Sequence, residues 1–187
     1  STGNAADKGT NLGHGPLKDT GLAQLWQTVR ESKKPAISDF SAYAAADGKQ
    51  VAFAGSPISD ASGEVLGLVA IQIAPDRINR VVQDRNGLGT TGETFLVGKT
   101  AGASSYRSDR VLKPGKVGES ISDAQIEAAL AGKSGCEQRA DATGVFELAC
   151  YAPLKVAGLD WALITTINLE EVIAPKIEGN EDIYTRF

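Results

Sequence analysis

Gly87-Leu88-Gly89-Thr90-Thr91-Gly92-Glu93-Thr94-Phe95-Leu96-Val97-Gly98 is the stretch that divides this chain. Its first six residues fit GxGxxG, the phosphate-cradling pattern of dinucleotide-binding folds. That chemistry needs a strand before the glycines and a helix after them, so that helix N–H groups face the pyrophosphate. Here the order is reversed. Pro75 suits the first turn of a helix running to about Asn86, with Ile78, Val81 and Val82 on its buried side. Glu93 to Gly98 alternates as a strand. The glycines therefore read as a link between two sheet units rather than as a nucleotide cradle.

Upstream of the link, residues 1 to 18 lack periodicity and read as loop. Leu22, Leu25, Trp26 and Val29 fall at helical spacing on one face of a helix from about Thr20 to Ser32, which Pro35 stops. Three strand-like runs follow: Ala36 to Tyr43, Gln50 to Ile58 and Glu64 to Ala74. Turns at Asp47-Gly48 and Asp60-Ala61-Ser62-Gly63 separate them. This is an antiparallel meander packed on a helix.

Downstream, a short strand is expected around Ser104 to Ser108. Ser122 and Gln125 form a capping-box pair for a helix bearing Ile126, Ala129 and Leu130, closed by Gly132. A hairpin comes next. A three-residue loop at Ala142 to Gly144, with Gly144 left-handed, pairs Asp141 with Val145. Counting back along both strands sets Cys136 opposite Cys150, the two cysteines of the chain. A cross-strand disulfide there is worth roughly 3 kcal/mol in the chain-entropy model and implies an oxidising compartment. The alternative is two reduced, half-buried cysteines in a cytosolic protein. Gly158 turns the chain into a last strand, Leu159 to Ile167, and Asn168 to Pro175 reads as a short helix.

Composition removes several function classes. The 187 residues carry a net charge of -4 with signs interspersed, so no basic stripe invites nucleic acid or an anionic membrane. The longest apolar run, Val65 to Ile73, contains Gln72 and is too short to span a bilayer. Met is absent even at position 1, so the chain reads as excised from a longer precursor, with any membrane anchor outside it. His14 is the only histidine, in a Gly-His-Gly-Pro loop with no partner at zinc-ligand spacing. No Gly-x-Ser-x-Gly elbow accompanies it. Carboxylates are scattered on turns and helix faces, where solvated charge is expected. No catalytic set, metal or cofactor is implied.

Polar residues inside strand patterns are the better candidates. Asp39 and Tyr43 are four apart, which places them on one strand face. Gln72 interrupts an apolar strand and must find hydrogen bonds from a neighbour, water or ligand. In the second unit, Arg107 has the planar fork that grips carboxylates, with a surface salt bridge as the plainer reading. Tyr151 and Trp161 lie on the last two strands, where core packing is their plainer role.

Gly87 to Gly98 resembles the "GLGxTGExYLVG" segment of double-Cache sensor domains of bacterial chemoreceptors, sensor histidine kinases and cyclic-nucleotide signalling proteins. Tyr106-Arg107-Ser108-Asp109-Arg110 resembles that family's "MRSDSR"-like segment, with Tyr106 where Met is common. Tyr151-Ala152-Pro153-Leu154 and Gly158-Leu159-Asp160-Trp161-Ala162-Leu163 are similar to its "YAPL...GLDWAL" ending. Gly9 to Leu12, Ser38-Asp39-Phe40 with Tyr43, and Gly67 to Ile73 also fit. The resemblance implies an α+β fold of two PAS-like antiparallel-sheet units joined by a helix. It implies a small ligand in the membrane-distal unit. Where amino-acid-binding members place an Asp that holds the ligand amine, this chain has Gln72, which favours an uncharged or acidic ligand. The family also has a long helix and two strands ahead of the Gly9 region that this chain lacks, so the first unit is expected to be incomplete.

The combined expectation is a partial membrane-distal unit with its connector helix (1–86), a membrane-proximal unit (87–175) and a tail (176–187). The function expected is extracytoplasmic sensing of a small organic ligand (carboxylate, amine or neutral metabolite) for a membrane-anchored bacterial protein, without enzymatic activity. The candidate ligand residues are Asp39, Tyr43, Phe53 and Gln72 in the distal unit, and Arg107, Tyr151 and Trp161 in the proximal one. The other reading is an assembly module of a tandem Cache-like array associating through open sheet edges, so a strand-completing chain or a homodimer is a possible partner.

Overall fold

The computed structural model describes residues 8–100 and 102–174; the sequence tail beyond 175 lies outside them. By mutual contact the chain divides into Ser1–Ile78 with Lys155–Asp160, and Asn79–Leu154 with Trp161–Phe187.

In the first unit, Thr20 caps helix α1 (Gly21–Ser32), its hydroxyl accepting from the Ala23 N–H. Left-handed Lys33 ends it, returning its N–H to Val29. Strands β1 (Ala36–Tyr43), β2 (Lys49–Ser59) and β3 (Val65–Ile73) form an antiparallel sheet in that order. The turns follow their chemistry. Asp47 and Gly48 both take positive φ between β1 and β2. The Asp60 carboxylate accepts from the Ser62 N–H, the Ser62 hydroxyl and the Glu64 N–H, closing the next turn. Leu25 and Val29 of α1 meet Tyr43, Val51 and Phe53, and Leu17 from the preceding loop completes this core. Strand β3 is an edge among the described residues, and Leu66, Val69 and Ile71 on it are 67%, 58% and 63% exposed.

Helix α2 spans Pro75–Val82, shorter than the expected run to Asn86. Asn79 is its buried residue, whereas Val81, expected on the buried side, is 76% exposed. The reason is polar anchoring. Asn79 Oδ1 accepts from the Asp109 N–H, and Gln83 donates to the Asp109 carbonyl, which turns this face inward.

The second unit holds β4 (Glu93–Thr100), β5 (Ala103–Tyr106), α3 (Ala124–Leu130), β6 (Gly135–Ala140), β7 (Phe146–Val156) and β8 (Leu159–Asn168). The sheet order is β5-β4-β8-β7-β6, and residues 169–174 are helical. Phe95, Val97, Tyr106, Tyr151, Ala162 and Ile164 pack with Ile126 and Ala129 of α3. The cap of α3 is Asp123, not Ser122: its carboxylate accepts from the Gln125 and Ile126 N–H groups, and Gln125 is no capping-box partner. The β6–β7 turn closes Asp141 N–H to the Val145 carbonyl at 2.9 Å, with Gly144 at φ 86. Cys136 then pairs with Cys150 in register, and they form a disulfide.

Candidate ligand sites and buried ion pairs

In the first unit, direct cross-strand pairing lines up Ser38, Phe53 and Gln72. Ser38 Oγ accepts from the Phe53 N–H at 3.1 Å, and the Tyr43 ring stands edge-on to Phe53 with centroids 5.0 Å apart. Tyr43 and Phe53 are buried, while Gln72 at the end of the row is exposed. Asp39 does not join this face. The β1–β2 register shifts between Ser38 and Ser41, so Asp39 and Phe40 together oppose Ala52. The extra residue moves the alternation by one, and Tyr43 follows Ser38 and Ser41, whose hydroxyls lie against Gly21 of α1. Half-buried Asp39 accepts from the Phe40 N–H at 2.7 Å.

In the second unit, the three candidates separate onto two faces. Tyr151 is on the α3 side, its hydroxyl donating to Glu137 Oε1 at 2.8 Å. That bond holds the Glu137 carboxyl below its ordinary range and pushes the Tyr151 phenol up. A Cβ at Gly135 would sit 2.9 Å from the Tyr151 hydroxyl, so glycine lets the ring lie across β6. Arg107 and Trp161 meet on the other face, over Gly98, where a Cβ would come within 2.8 Å of both side chains. Arg107 is buried. It donates to the Ser105 hydroxyl at 2.6 Å, the Thr100 hydroxyl at 2.7 Å, and the Ser105 and Tyr106 carbonyls.

Charged residues outside the candidate set are just as ordered. Glu93 is fully buried, and its carboxylate accepts from the Val111 and Leu112 N–H groups and from Arg110. The Arg110 guanidinium also lies 4.4 Å from the Phe95 ring centroid. Glu147, 1% exposed, is held by Lys113 and Arg139, which extend to Asp141 and Asp123. Burial pulls the Lys113 ammonium down, but Asp141 and Glu147 outweigh it, and the group is held above its ordinary value. The expectation that carboxylates lie solvated on turns and helices fails at Glu93 and Glu147. Both stand in phase with core residues, Glu93 with Phe95 and Val97, Glu147 with Ala149 and Tyr151, and that phase was the available signal.

Two sheets, each packed on a helix, with a disulfide-closed hairpin define a domain of mixed α/β class. The sequence profile of the Cache domain matches residues 16–175, and the chain belongs to that family of extracytoplasmic sensing modules. Solved structures of similar fold include the extracellular domain of the candidate histidine kinase mmHK1S-Z2. It has a TM-score of 0.58 and 21% identity, over 88% of this chain and 64% of that one. The ligand-binding domain of the Pseudomonas aeruginosa amino acid chemoreceptor PctB, in complex with L-Arg, has a TM-score of 0.59 and 17% identity, over 90% and 62%. That of the chemoreceptor PctC from the same organism, in complex with GABA, has a TM-score of 0.54 and 17% identity, over 85% and 65%. The chain thus spans less than two thirds of each. No curated protein matches it. Among the described residues, no helix is long and apolar enough to cross a membrane.

Proposed function

We propose that this chain is the ligand-sensing module of a transmembrane signalling protein of chemoreceptor, histidine kinase or cyclase type, and that it binds without catalysis. The observation that carries the reading is the Cache-domain match across 16–175, spanning both sheets. The first unit is the distal unit, its site built around Phe53 and Gln72 with Tyr43 behind them and Asp39 at the bulge. Arg107, Tyr151 and Trp161 are the candidates of the proximal unit, which begins at the glycine-rich loop.

PctB and PctC were solved with L-Arg and GABA, both of which carry an amine. Gln72 is neutral and supports a small organic ligand held by hydrogen bonds rather than by a carboxylate–ammonium pair. An uncharged metabolite or organic acid fits such a group best. We further propose that the three-stranded first sheet is incomplete and takes another strand along β3, from a partner segment or a second copy, because an exposed edge offers unpaired N–H and C=O groups. A thermal-shift screen of amino acids, amines and organic acids, followed by calorimetry, tests the ligand reading. A neutral or acidic hit lost on Gln72→Ala, a change at an exposed residue that leaves the core intact, supports it, and stabilisation by no member of the panel refutes it for this chain.

A further inference from the structure

We infer that the glycine-rich loop is a two-sided clamp that fixes the segment leaving β8 to the end of α2. The sequence motif leaves this loop without a nucleotide, and the structure gives its backbone other partners. On one side, the Arg85 guanidinium, just beyond α2, donates to the carbonyls of Gly89, Thr90 and Gly92. On the other, the Glu171 carboxylate accepts from the N–H and the hydroxyl of both Thr90 and Thr91. Cation on the carbonyls and anion on the N–H groups polarise the same peptide units in the same sense, so each contact strengthens the other.

The local sequence is built for this. Gly87 and Gly89 take positive φ, which turns successive N–H groups toward one point. A Cβ at Gly89 would collide with the Glu171 carboxylate, and one at Gly92 with the Leu88 carbonyl. The Thr91 hydroxyl accepts from the Asn168 N–H while donating to Glu171, which ties the end of β8 into the same cluster. At the Arg85 end, α2 is itself pinned through Asn79 and Gln83 to Asp109. One loop thus joins the helix entering the second unit to the residues, 169–174, that leave its sheet. The donors hold the Glu171 carboxyl down at about 2, so the clamp stays charged at any physiological pH. In a sensing module it is the joint through which a displacement of α2 reaches the outgoing segment; that step rests on the proposed function, whereas the clamp does not.

Hydrogen exchange on the intact chain reads the clamp directly. Glu171→Ala should speed exchange at Thr90, Thr91 and residues 169–174 by about tenfold or more, the scale of one charge-assisted hydrogen bond, with β4 and β7 unchanged. Glu171→Gln keeps the shape and should fall between. The deciding variant is Arg85→Ala, which does not remove Glu171. It should loosen 169–174 as well as 87–92, and the double variant should show less than the sum of the two. Loosening confined to 87–92 in Arg85→Ala, or strict additivity, would overturn the coupling. A uniform rise in exchange across the second unit would overturn the clamp as a local device.

Discussion

The two sheets solve one problem by different means. The first unit holds its helix with Leu25, Val29, Tyr43, Val51 and Phe53, and its α1 face is an aromatic and aliphatic stack. The second places an apolar core beside two buried ionic clusters, a disulfide and the Arg85–Glu171 clamp. Apolar packing is non-directional and tolerates repacking around a guest. Buried ion pairs demand one geometry, because a charge that loses its partner indoors is left uncompensated. Loss of one partner should therefore cost the second unit's ionic clusters more than repacking costs the first unit's apolar stack.

The largest effects expected lie at the two cores. Phe53→Ala should destabilise by about 3–5 kcal/mol through the cavity it opens. Arg110→Ala should destabilise by a similar 3–5 kcal/mol, by stranding the buried Glu93 carboxylate. Denaturant titration separates the causes. A Glu93→Gln/Arg110→Leu double variant should recover part of the Arg110→Ala loss, whereas no charge change rescues Phe53→Ala. If Arg110→Ala is nearly neutral, the contrast between the units collapses.

Next in size is the Cys136–Cys150 crosslink. Replacing both by Ser should lower stability by roughly 3 kcal/mol, the chain-entropy value for a loop of this length. The loss should centre on β6, β7 and α3, measured by exchange, and leave β1 to β3 untouched. A matching loss in the first unit would show that the hairpin does not act locally.

Acid sharpens the same comparison. Hydrogen bonds from Thr91 and Thr90 hold Glu171 down at about 2 against an ordinary 4.5. Asp141, Glu127 and Glu137 are also held below their ordinary values, chiefly by Lys113, Ser104 and Tyr151 respectively. A depressed carboxyl contributes fully above its unfolded value and loses that contribution as pH falls through its folded one. All four lie in the second unit, while Asp60 is the only such group in the first among the described residues. Between about pH 4.5 and 2 the second unit should therefore loosen more than the first, as read by exchange at Thr91 and Asn168 against Phe53. At the alkaline end Lys113, held above 10.5, adds a contribution present below that value and lost above it.

How much of this was legible depended on distance along the chain. Strands and turns were readable because Asp47-Gly48, Asp60 to Gly63 and Asp141 to Gly144 carry their conformations locally. The Cys136–Cys150 pairing followed from the last of these turns by counting. The β1 bulge has no such mark: Ser38 to Ser41 contains neither Gly nor Pro, so strict alternation puts Asp39 and Tyr43 on one face where the structure separates them. Arg107 reads as a fork for carboxylates, yet its burial among Thr100, Ser105 and Tyr106 depends on the β4–β5 pairing. Glu171 and Thr90 are 81 residues apart, and nothing local announces their meeting.

The smallest effect on stability, and the sharpest test of the open edge, belongs to Ile71→Lys. Ile71 is 63% exposed on β3 and pairs across to Ala54, so a charge there should change the isolated chain by no more than about 0.5 kcal/mol. Its effect on association should be far larger. Lysine on an edge strand discourages strand addition, and Ile71 shares the strand with exposed Val69 and Leu66. If β3 takes a further strand from a second copy, light scattering of the parent chain should rise in mass with concentration, and Ile71→Lys should hold it at the monomer mass. A parent chain that is monomeric at every concentration would assign the edge to a segment of a longer precursor or to another protein. In that case the same substitution should matter only when that segment is present. A parent dimer that Ile71→Lys leaves intact would instead place the contact elsewhere and leave β3 an edge protected by its own exposure to water.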